Sequence, residues 1–171
     1  MRIEAVDPAS YEGAIDELAD LLVEAVEGGA SVNFVAGATR DEAAQWWAAR
    51  IEAVLAGTTT LFVARSNDLI IGSTLLERST NPNSPHRAEI GKVIVHRSAR
   101  RQGIATALMR AAEDRARAEG RWMLILDTVT DSPAAALYES LGWRTVGTIP
   151  GYALNTDGVP EAATYYYKDL R

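Results

Sequence analysis

The sequence predicts a single mixed α/β domain, residues 1–171, in which helices flank a central, twisted and mostly antiparallel sheet. The 171 residues are 47% hydrophobic, which is enough for one domain with a core. Apolar residues follow a helical period up to residue 56 and a strand-like period from residue 59. One stretch, Val95 to Leu108, has the form of a strand, a tight turn and a helix.

The N-terminal part of the chain is predicted to hold one short strand and two helices. The strand covers residues 2–6, and Asp7 and Pro8 then suit the cap and first turn of a helix that ends at Gly28. A second helix over residues 39–56 begins with the T-x-x-E spacing of a capping box.

The middle of the chain is predicted to form an antiparallel hairpin followed by a central strand. The segments TTLFVAR and LIIGSTLLE alternate like strands and are joined by a polar Ser-Asn-Asp turn. The next strand, AEIGKVIV at residues 88–95, ends in three apolar residues. Apolar side chains on both faces are typical of a strand in the centre of a sheet.

The C-terminal half is predicted to complete a β-α-β unit and to end in a strand pair. A helix over residues 104–119 ends at Gly120 and is followed by the apolar strand WMLILDT. Ser132 and Pro133 begin a short helix as its cap and first residue, and Gly142 ends it. The last two predicted strands lie at residues 143–148 and 164–168.

The composition excludes several kinds of protein. Without cysteine the chain has no disulfide, thiolate metal site or cysteine nucleophile, and with two histidines no histidine metal site is expected. The net charge of −6 argues against a nucleic-acid binder. No apolar run approaches the roughly 20 residues that span a bilayer. The N-terminal MRIEAVDPAS lacks the pattern of a secretory signal, so a cytoplasmic protein is expected.

Positive charge is concentrated in one part of this acidic chain. Residues 86–121 hold nine Lys or Arg and four Asp or Glu, an excess of five positive charges. Such an island indicates a compact anionic ligand, or else a solvated helix face. For Arg110, Arg115 and Arg117 we favour the solvated face.

The turn that ends near Gly103 has the features of a phosphate site. The first N–H groups of a helix lack internal partners and attract anions. Gly103 lets the backbone approach a ligand closely, Ala105 is small, and Arg100 and Arg101 add charge. Neither the G-x-x-x-x-G-K-[ST] nor the G-x-G-x-x-G nucleotide motif is present.

Two blocks of sequence resemble a known family. The pattern R-x-x-G-x-A at residues 100–105 resembles the acetyl-CoA diphosphate loop of the GNAT superfamily of N-acetyltransferases. A second block, SPAAALYESLGW at residues 132–143, resembles that family's later motif, L-Y-x-x-x-G-[FW]. Both blocks occur in the expected order, and the match covers about residues 58–148. The resemblance implies a GNAT fold, acetyl-CoA as co-substrate and no metal.

The resemblance also implies which residues contact acetyl-CoA. The backbone N–H of Val93 or Ile94 would bind the thioester carbonyl. Three positions depart from the family pattern: a frequent proline is Arg97, the second glycine is Ala105, and the usual Asn of the second motif is replaced by residues 131–133. The implied acetyl-CoA-binding residues are Val93, Ile94, Val95, Arg100, Arg101, Gln102, Gly103, Ile104, Ala105, Thr106 and Ser132.

The end of the chain is similar to one branch of the superfamily. The phrases LDTVTDSPAAALYESLGW and VGTIPGYALNTDG, followed by a tyrosine-rich strand, resemble the tabtoxin-resistance branch. That resemblance implies a homodimer. The apolar, tyrosine-rich C-terminal strand with Tyr165, Tyr166 and Tyr167 is a candidate part of its interface.

Acetyl transfer to an amine needs one group that accepts the amine proton and another that protonates the leaving thiolate. By resemblance, Tyr138 on the short helix is the general acid; the alternative is a core tyrosine. Glu89 and Asp127 are the candidate bases, as carboxylates at these positions are in the resembled branch. The alternatives are a surface salt bridge for Glu89 and a loop cap for Asp127.

The positions of Glu89 and Asp127 along their strands support both carboxylates as candidate bases. Glu89 lies six residues before Val95, which is about 20 Å along a strand at roughly 3.3 Å per residue, similar to the reach of a pantetheine arm. Asp127 lies near the end of its strand, where ligands enter open α/β sheets.

The sequence therefore predicts an N-acetyltransferase that moves an acetyl group from acetyl-CoA to the primary amine of a small molecule. Candidates for a wall of the acceptor site are Trp46, Trp47 and the loop at residues 80–86, with core packing as the alternative for the two tryptophans. Two alternatives remain, a protein Lys or N-terminal acetyltransferase and a non-catalytic acyl-CoA-binding module. The joint presence of Tyr138, Glu89 and Asp127 argues against the non-catalytic module.

Overall fold

A seven-stranded sheet forms the centre of the computed structural model, which describes residues 1–171. The strands are β1 (Arg2–Ala5), β2 (Thr59–Ser66), β3 (Leu69–Arg78), β4 (Arg87–Val95), β5 (Met123–Val129), β6 (Arg144–Leu154) and β7 (Pro160–Asp169). Their order across the sheet is β1-β2-β3-β4-β5-β7-β6. Only β4 and β5 pair in parallel, so the predicted mixed, mostly antiparallel sheet is confirmed.

Helices cover both faces of the sheet. They are α1 (Tyr11–Glu27), α2 (Arg40–Ala48), α3 (Ile51–Leu55), α4 (Ile104–Ala118) and α5 (Pro133–Ser140). Alternate residues of β2 divide the core, because Leu61 and Val63 pack with α1 to α3 while Phe62 and Ala64 pack with α4. None of the helices combines the length and the hydropathy needed to cross a bilayer.

The predicted second helix is broken into α2 and α3. Its capping box is present, since the Thr39 hydroxyl accepts from the Glu42 N–H and the Glu42 carboxylate accepts from the Thr39 N–H. At Arg50, however, the backbone N–H donates to Trp47 rather than Trp46, and the Arg50 side chain donates to the Trp46 carbonyl at 2.7 Å. The side chain thus replaces a helical hydrogen bond, which explains a break without glycine or proline.

The last two strands are longer than predicted. β6 extends beyond residue 148 because an irregularity lies between Ile149 and Ala153, where Gly151 adopts a φ of +61°. Pro150 and Gly151, which interrupt a regular strand pattern, are accommodated there by a bulge in the ladder. Every residue of β6 is exposed, and the strand lies at the edge of the sheet.

Candidate active site

The two parallel strands at the centre of the sheet separate along their length. β4 and β5 pair over only three positions, from Arg87 with Met123 to Glu89 with Ile125. Beyond Glu89, β4 continues to Val95 beside β3, and β5 continues beside β7. A cleft therefore opens between them, and the backbone polar groups of β4 that face it lack a strand partner.

A bulge in β4 lies on the wall of this cleft. Ser73 of β3 is opposite Ile94, whereas Leu75 is opposite Gly91, so β4 carries one extra residue. Lys92 lies within that stretch with a φ of +51°, which is unusual for a residue with a side chain. Such a bulge bends a strand and increases its local twist, which accounts for the divergence from β5.

One end of the cleft carries a turn rich in free amides. This amide turn covers residues 96–103 and leads into α4, whose N-cap Gly103 offers no side-chain hydrogen bond. None of the six backbone N–H groups of residues 101–106 donates to another protein group. Arg101 and Gly103 adopt φ values of +61° and +77°, and a Cβ at Gly103 would meet no atom within 4 Å. Successive free amides at a helix N-terminus fit a diphosphate.

The side chains of the turn differ in what they offer a ligand. Arg100, Arg101 and Gln102 are exposed, and the Arg100 Nε donates to the Val95 carbonyl at 3.1 Å. Ile104 is only 1% exposed and packs in the core, so it can contribute its backbone N–H alone. Ala105 and Thr106, like Val93 and Val95, are half-buried, whereas Ile94 is buried.

Ser132 lies on a different element from the amide turn, at the start of α5. Its hydroxyl accepts the Ala135 N–H at 3.2 Å and so caps the helix, as the sequence predicted. A contact between Ser132 and acetyl-CoA stays a prediction.

Tyr138 lies on α5 and is 5% exposed. Its ring packs against Trp143 and Tyr166, with ring centres 6.2 and 6.3 Å away. Burial, and secondly the negative charge of Asp127, raise the pKa of the Tyr138 hydroxyl. The side chain therefore belongs to the core and also keeps its proton at neutral pH, as an acid must.

Glu89 and Asp127 lie on the sheet face that carries α1 to α3. Their strand neighbours Ala88 and Leu126 are buried on the opposite face, and side chains alternate along a strand. Both carboxylates are accessible to solvent, yet the protein around the cleft removes much of their hydration. This desolvation is the largest cause that raises the pKa of each carboxyl, and for Glu89 the charges of Glu77 and Asp127 add to it.

Lys92 is a site residue that the sequence analysis did not single out. Its ammonium lies 4.4 Å from the ring centre of Trp46, over which the Arg50 guanidinium also lies at 3.0 Å. Burial, and then the charge of Arg50, lower the pKa of Lys92 to about 8. The positive charge of Lys92 in turn opposes part of the rise in the pKa of Asp127 and Glu89. The only signal in the sequence is a lysine inside the otherwise apolar IGKVIV.

The charged groups around the cleft are not paired with one another. Every ion pair within 4.0 Å joins other residues of the chain. No group of three or more acidic or histidine side chains is arranged to hold a metal ion. The unpaired groups of the cleft are Arg50, Glu77, Glu89, Lys92 and Asp127.

The two tryptophans of α2 have different surroundings. Trp47 is fully buried, its indole N–H donates to the Leu18 carbonyl at 3.1 Å, and the Tyr11 hydroxyl donates to its backbone carbonyl. It is a core residue, which is the second of the two roles that the sequence offered for it. Trp46 is half-buried and contacts Lys92, which places it beside the cleft.

A sheet that opens between two parallel strands, with free amides at one end and carboxylates and a protonated phenol beside it, defines a site for group transfer from a diphosphate-bearing carrier. Residues 16–143 match the model of the acetyltransferase (GNAT) family, which is most of the chain. The chain belongs to this family of acetyltransferases, and its fold follows from that membership.

The comparisons with individual proteins agree with the family. N-alpha-acetyltransferase 30 of Schizosaccharomyces pombe is 33% identical over 95 residues, or 55% of this chain. The match spans 63% of that relative, less than two thirds of its length. An N-acetyltransferase from Staphylococcus aureus Mu50 superposes with a TM-score of 0.81 at 19% identity, over 99% of this chain and 98% of that one.

A second solved structure contains acetyl-CoA. The yncA protein of Salmonella typhimurium, determined with its cofactor acetyl-CoA, has a TM-score of 0.78 at 20% identity, over 100% of this chain and 94% of that one. At such identities both structures support the fold alone.

Proposed function

We propose that the chain transfers the acetyl group of acetyl-CoA to the primary amine of a small molecule by direct attack. The observation that carries this proposal is the cleft between β4 and β5, which connects the amide turn to Glu89 and Asp127. Without cysteine, the chain offers no thiol for a covalent acetyl-enzyme.

The free amides hold the donor. Acetyl-CoA supplies an acetyl group activated as a thioester. The N–H groups of residues 101–106 bind its diphosphate, and Arg100 and Arg101 add positive charge at the same end. A backbone N–H of Val93 or Ile94 that faces the cleft binds the thioester carbonyl, because β5 no longer pairs there.

Glu89 or Asp127 accepts the proton of the acceptor amine, directly or through one water. A base works best when its pKa lies near the working pH, and desolvation raises the pKa of both carboxyls in that direction. Their negative charge also attracts a cationic amine. The structure offers both carboxylates on the same face of the sheet, and their roles are separable by mutation.

Tyr138 protonates the leaving thiolate. Its hydroxyl keeps its proton at neutral pH, since burial and the charge of Asp127 both disfavour the phenolate. α5, which carries Tyr138, packs beside β5, the strand that carries Asp127.

Thiol release from acetyl-CoA tests this function over a panel of small primary amines beside a panel of peptides. We expect release that depends on a small amine and that falls in Tyr138→Phe and in one of Glu89→Gln or Asp127→Asn. Binding of acetyl-CoA without release on any acceptor would instead establish a non-catalytic acyl-CoA-binding module.

Acetylation of a protein N-terminus is the second candidate, and one observation favours it. The relative from Schizosaccharomyces pombe that is 33% identical over 95 residues is an N-alpha-acetyltransferase by name. Thiol release with peptides that have a free N-terminus, and none with small amines, would establish this alternative. Release only with internal lysines would point to lysine side chains as acceptors.

A further inference from the structure

Glu24, near the end of α1, is a buried carboxylate in contact with the start of the amide turn. Its Oε1 accepts the backbone N–H of Arg97 at 3.1 Å and lies 3.0 Å from the Arg97 Nε. The Glu24 side chain is 10% exposed, whereas that of Arg97 is 68% exposed. A carboxylate is costly to bury unless it is hydrogen-bonded and paired; Arg97 meets both needs of Oε1, whereas the buried Oε2 has no partner.

The contact reaches a backbone group that has no other partner. The Arg97 N–H donates only to Glu24, and Arg97 is the first residue of the short 3-10 turn Arg97–Ala99. That 3-10 turn leads directly into the six free N–H groups of residues 101–106. Glu24 therefore holds the N-terminal end of the amide turn, and the free N–H groups follow a few residues later.

The end of α1 also approaches the turn at a second point. A Cβ at Gly28 would lie 3.4 Å from the Arg100 Nη2, an ordinary contact distance, so this guanidinium lies directly beside the end of α1. Arg100 itself donates to the Val95 carbonyl at the end of β4. The end of α1 thus lies against the turn at two points, with a hydrogen bond at Glu24 and a close approach at Gly28.

We propose that Glu24 is a positioning residue for acetyl-CoA binding, which acts through the Arg97 backbone to hold the amide turn in its ligand-ready form. The inference rests on the proposed acetyl-CoA site. Glu24 touches no reacting atom, so its loss affects binding of the donor rather than the chemical step. A preorganised turn binds more tightly, because a mobile one must first be ordered.

Proline at residue 97 offers a rescue of this contact. His96 has φ −50° and ψ 137°, the extended conformation that precedes proline. Arg97 begins the 3-10 turn, a position where the fixed φ of proline fits and its missing N–H costs nothing once Glu24 is gone. In a Glu24→Leu background, Arg97→Pro therefore replaces the lost hydrogen bond between Glu24 and the Arg97 N–H by the fixed φ of proline.

The experiment compares coenzyme A binding by calorimetry, the KM for acetyl-CoA, kcat and Tm in the full chain and four variants. Glu24→Leu is expected to weaken coenzyme A binding about tenfold while kcat at saturating acetyl-CoA stays within about twofold. Glu24→Gln keeps an oxygen that can accept the Arg97 N–H. Its affinity for coenzyme A is therefore expected to stay within about threefold of that of the parent, the unmodified chain. Glu24→Leu/Arg97→Pro is expected to restore most of the affinity.

Glu27→Leu is the matched control for charge. Glu27 is exposed on the same helix and forms no ion pair. Loss of a negative charge near a diphosphate would by itself strengthen binding, so weaker binding in Glu24→Leu reports a displaced turn. Glu27→Leu is expected to bind as the parent does or slightly more tightly.

Three results would overturn the inference. They are unchanged coenzyme A affinity in Glu24→Leu, an equal loss in Glu27→Leu, or a folded double variant that binds as weakly as Glu24→Leu. If Glu24→Leu does not fold, a folded double variant tenfold weaker than the parent overturns it, and one with parental affinity supports it. A parent that does not bind coenzyme A removes the acetyl-CoA site and this inference together, whereas a binding parent isolates the role of Glu24.

Discussion

Glu89 and Ile125 form the last paired position of β4 and β5, and the two strands separate beyond it. Glu89 therefore lies at the narrow end of the cleft, while the amide turn lies beyond the other end of β4. Because the strands are parallel, Asp127 follows two residues further along the opposite wall. This relationship explains how one sheet places a base candidate on each wall.

Replacement of the Tyr138 hydroxyl should affect catalysis and leave donor binding intact. We expect Tyr138→Phe to lower kcat by about 10² to 10⁴, the usual contribution of an acid catalyst, with coenzyme A affinity unchanged. The ring itself stays packed between Trp143 and Tyr166, so the fold should persist. A variant with parental kcat would remove Tyr138 from the mechanism.

A side chain at Gly103 should block the diphosphate. Gly103→Val is expected to abolish measurable coenzyme A binding by calorimetry, because its side chain would project into the space that the ligand needs. Gly120→Val at the other end of α4 is the matched control, since Gly120 has a similar φ of +73° and equally open surroundings. Equal affinity in the two variants would contradict the assignment of the turn.

The charge of Lys92 should affect the pH dependence of the base. The charge of Lys92 opposes the rise in the pKa of Glu89 and Asp127, so Lys92→Met should raise both pKa values further. A base must be ionised, and activity is lost as pH falls through its pKa; the acid limb of kcat/KM should therefore move to higher pH. Arg110→Gln, which removes an exposed charge from α4, serves as the control. An acid limb that does not move in Lys92→Met would show that the titrating base lies elsewhere.

Two matched variants of α4 should separate a buried ion pair from an exposed one. Glu113 accepts from the Trp143 indole at 3.0 Å and from Lys168 at 2.7 Å, with a side chain only 8% exposed. Glu113→Ala should lower the free energy of unfolding by about 3 kcal/mol, because it leaves buried donors unpaired. Asp114→Ala, in an exposed pair with Arg117, should cost less than about 1 kcal/mol. Urea titrations that give the same loss of unfolding free energy in both variants would contradict this prediction.

The homodimer implied by the branch resemblance stays a prediction that sedimentation can test. β6 is an exposed edge strand, and Val146, Ile149 and Leu154 on it are large exposed apolar side chains. Such an edge pairs readily with another chain. We expect a dimer in the parent and a shift to monomer in Ile149→Lys. A parent that sediments only as monomer would end this prediction.

The sequence by itself determined features that depend on a few adjacent residues. The capping box of Thr39, the helix start at Ser132 and the glycine at the amide turn each follow from local backbone preferences. Their positions were therefore predictable, and with them the proposed donor end of the site, which consists of backbone N–H groups of one short segment.

Only the tertiary structure decided the features that depend on distant residues. The bulge at Lys92 arises from the register of β4 on β3, and the cleft arises because β5 stays paired with β7 along its whole length but loses its pairing with β4 beyond Ile125. The break at Arg50 and the burial of Trp47 likewise depend on packing between elements. Register and packing result from competition among many long-range contacts, which no local pattern contains. For that reason the proposed donor end could be predicted from the sequence, whereas the charged surroundings of the proposed acceptor end could not.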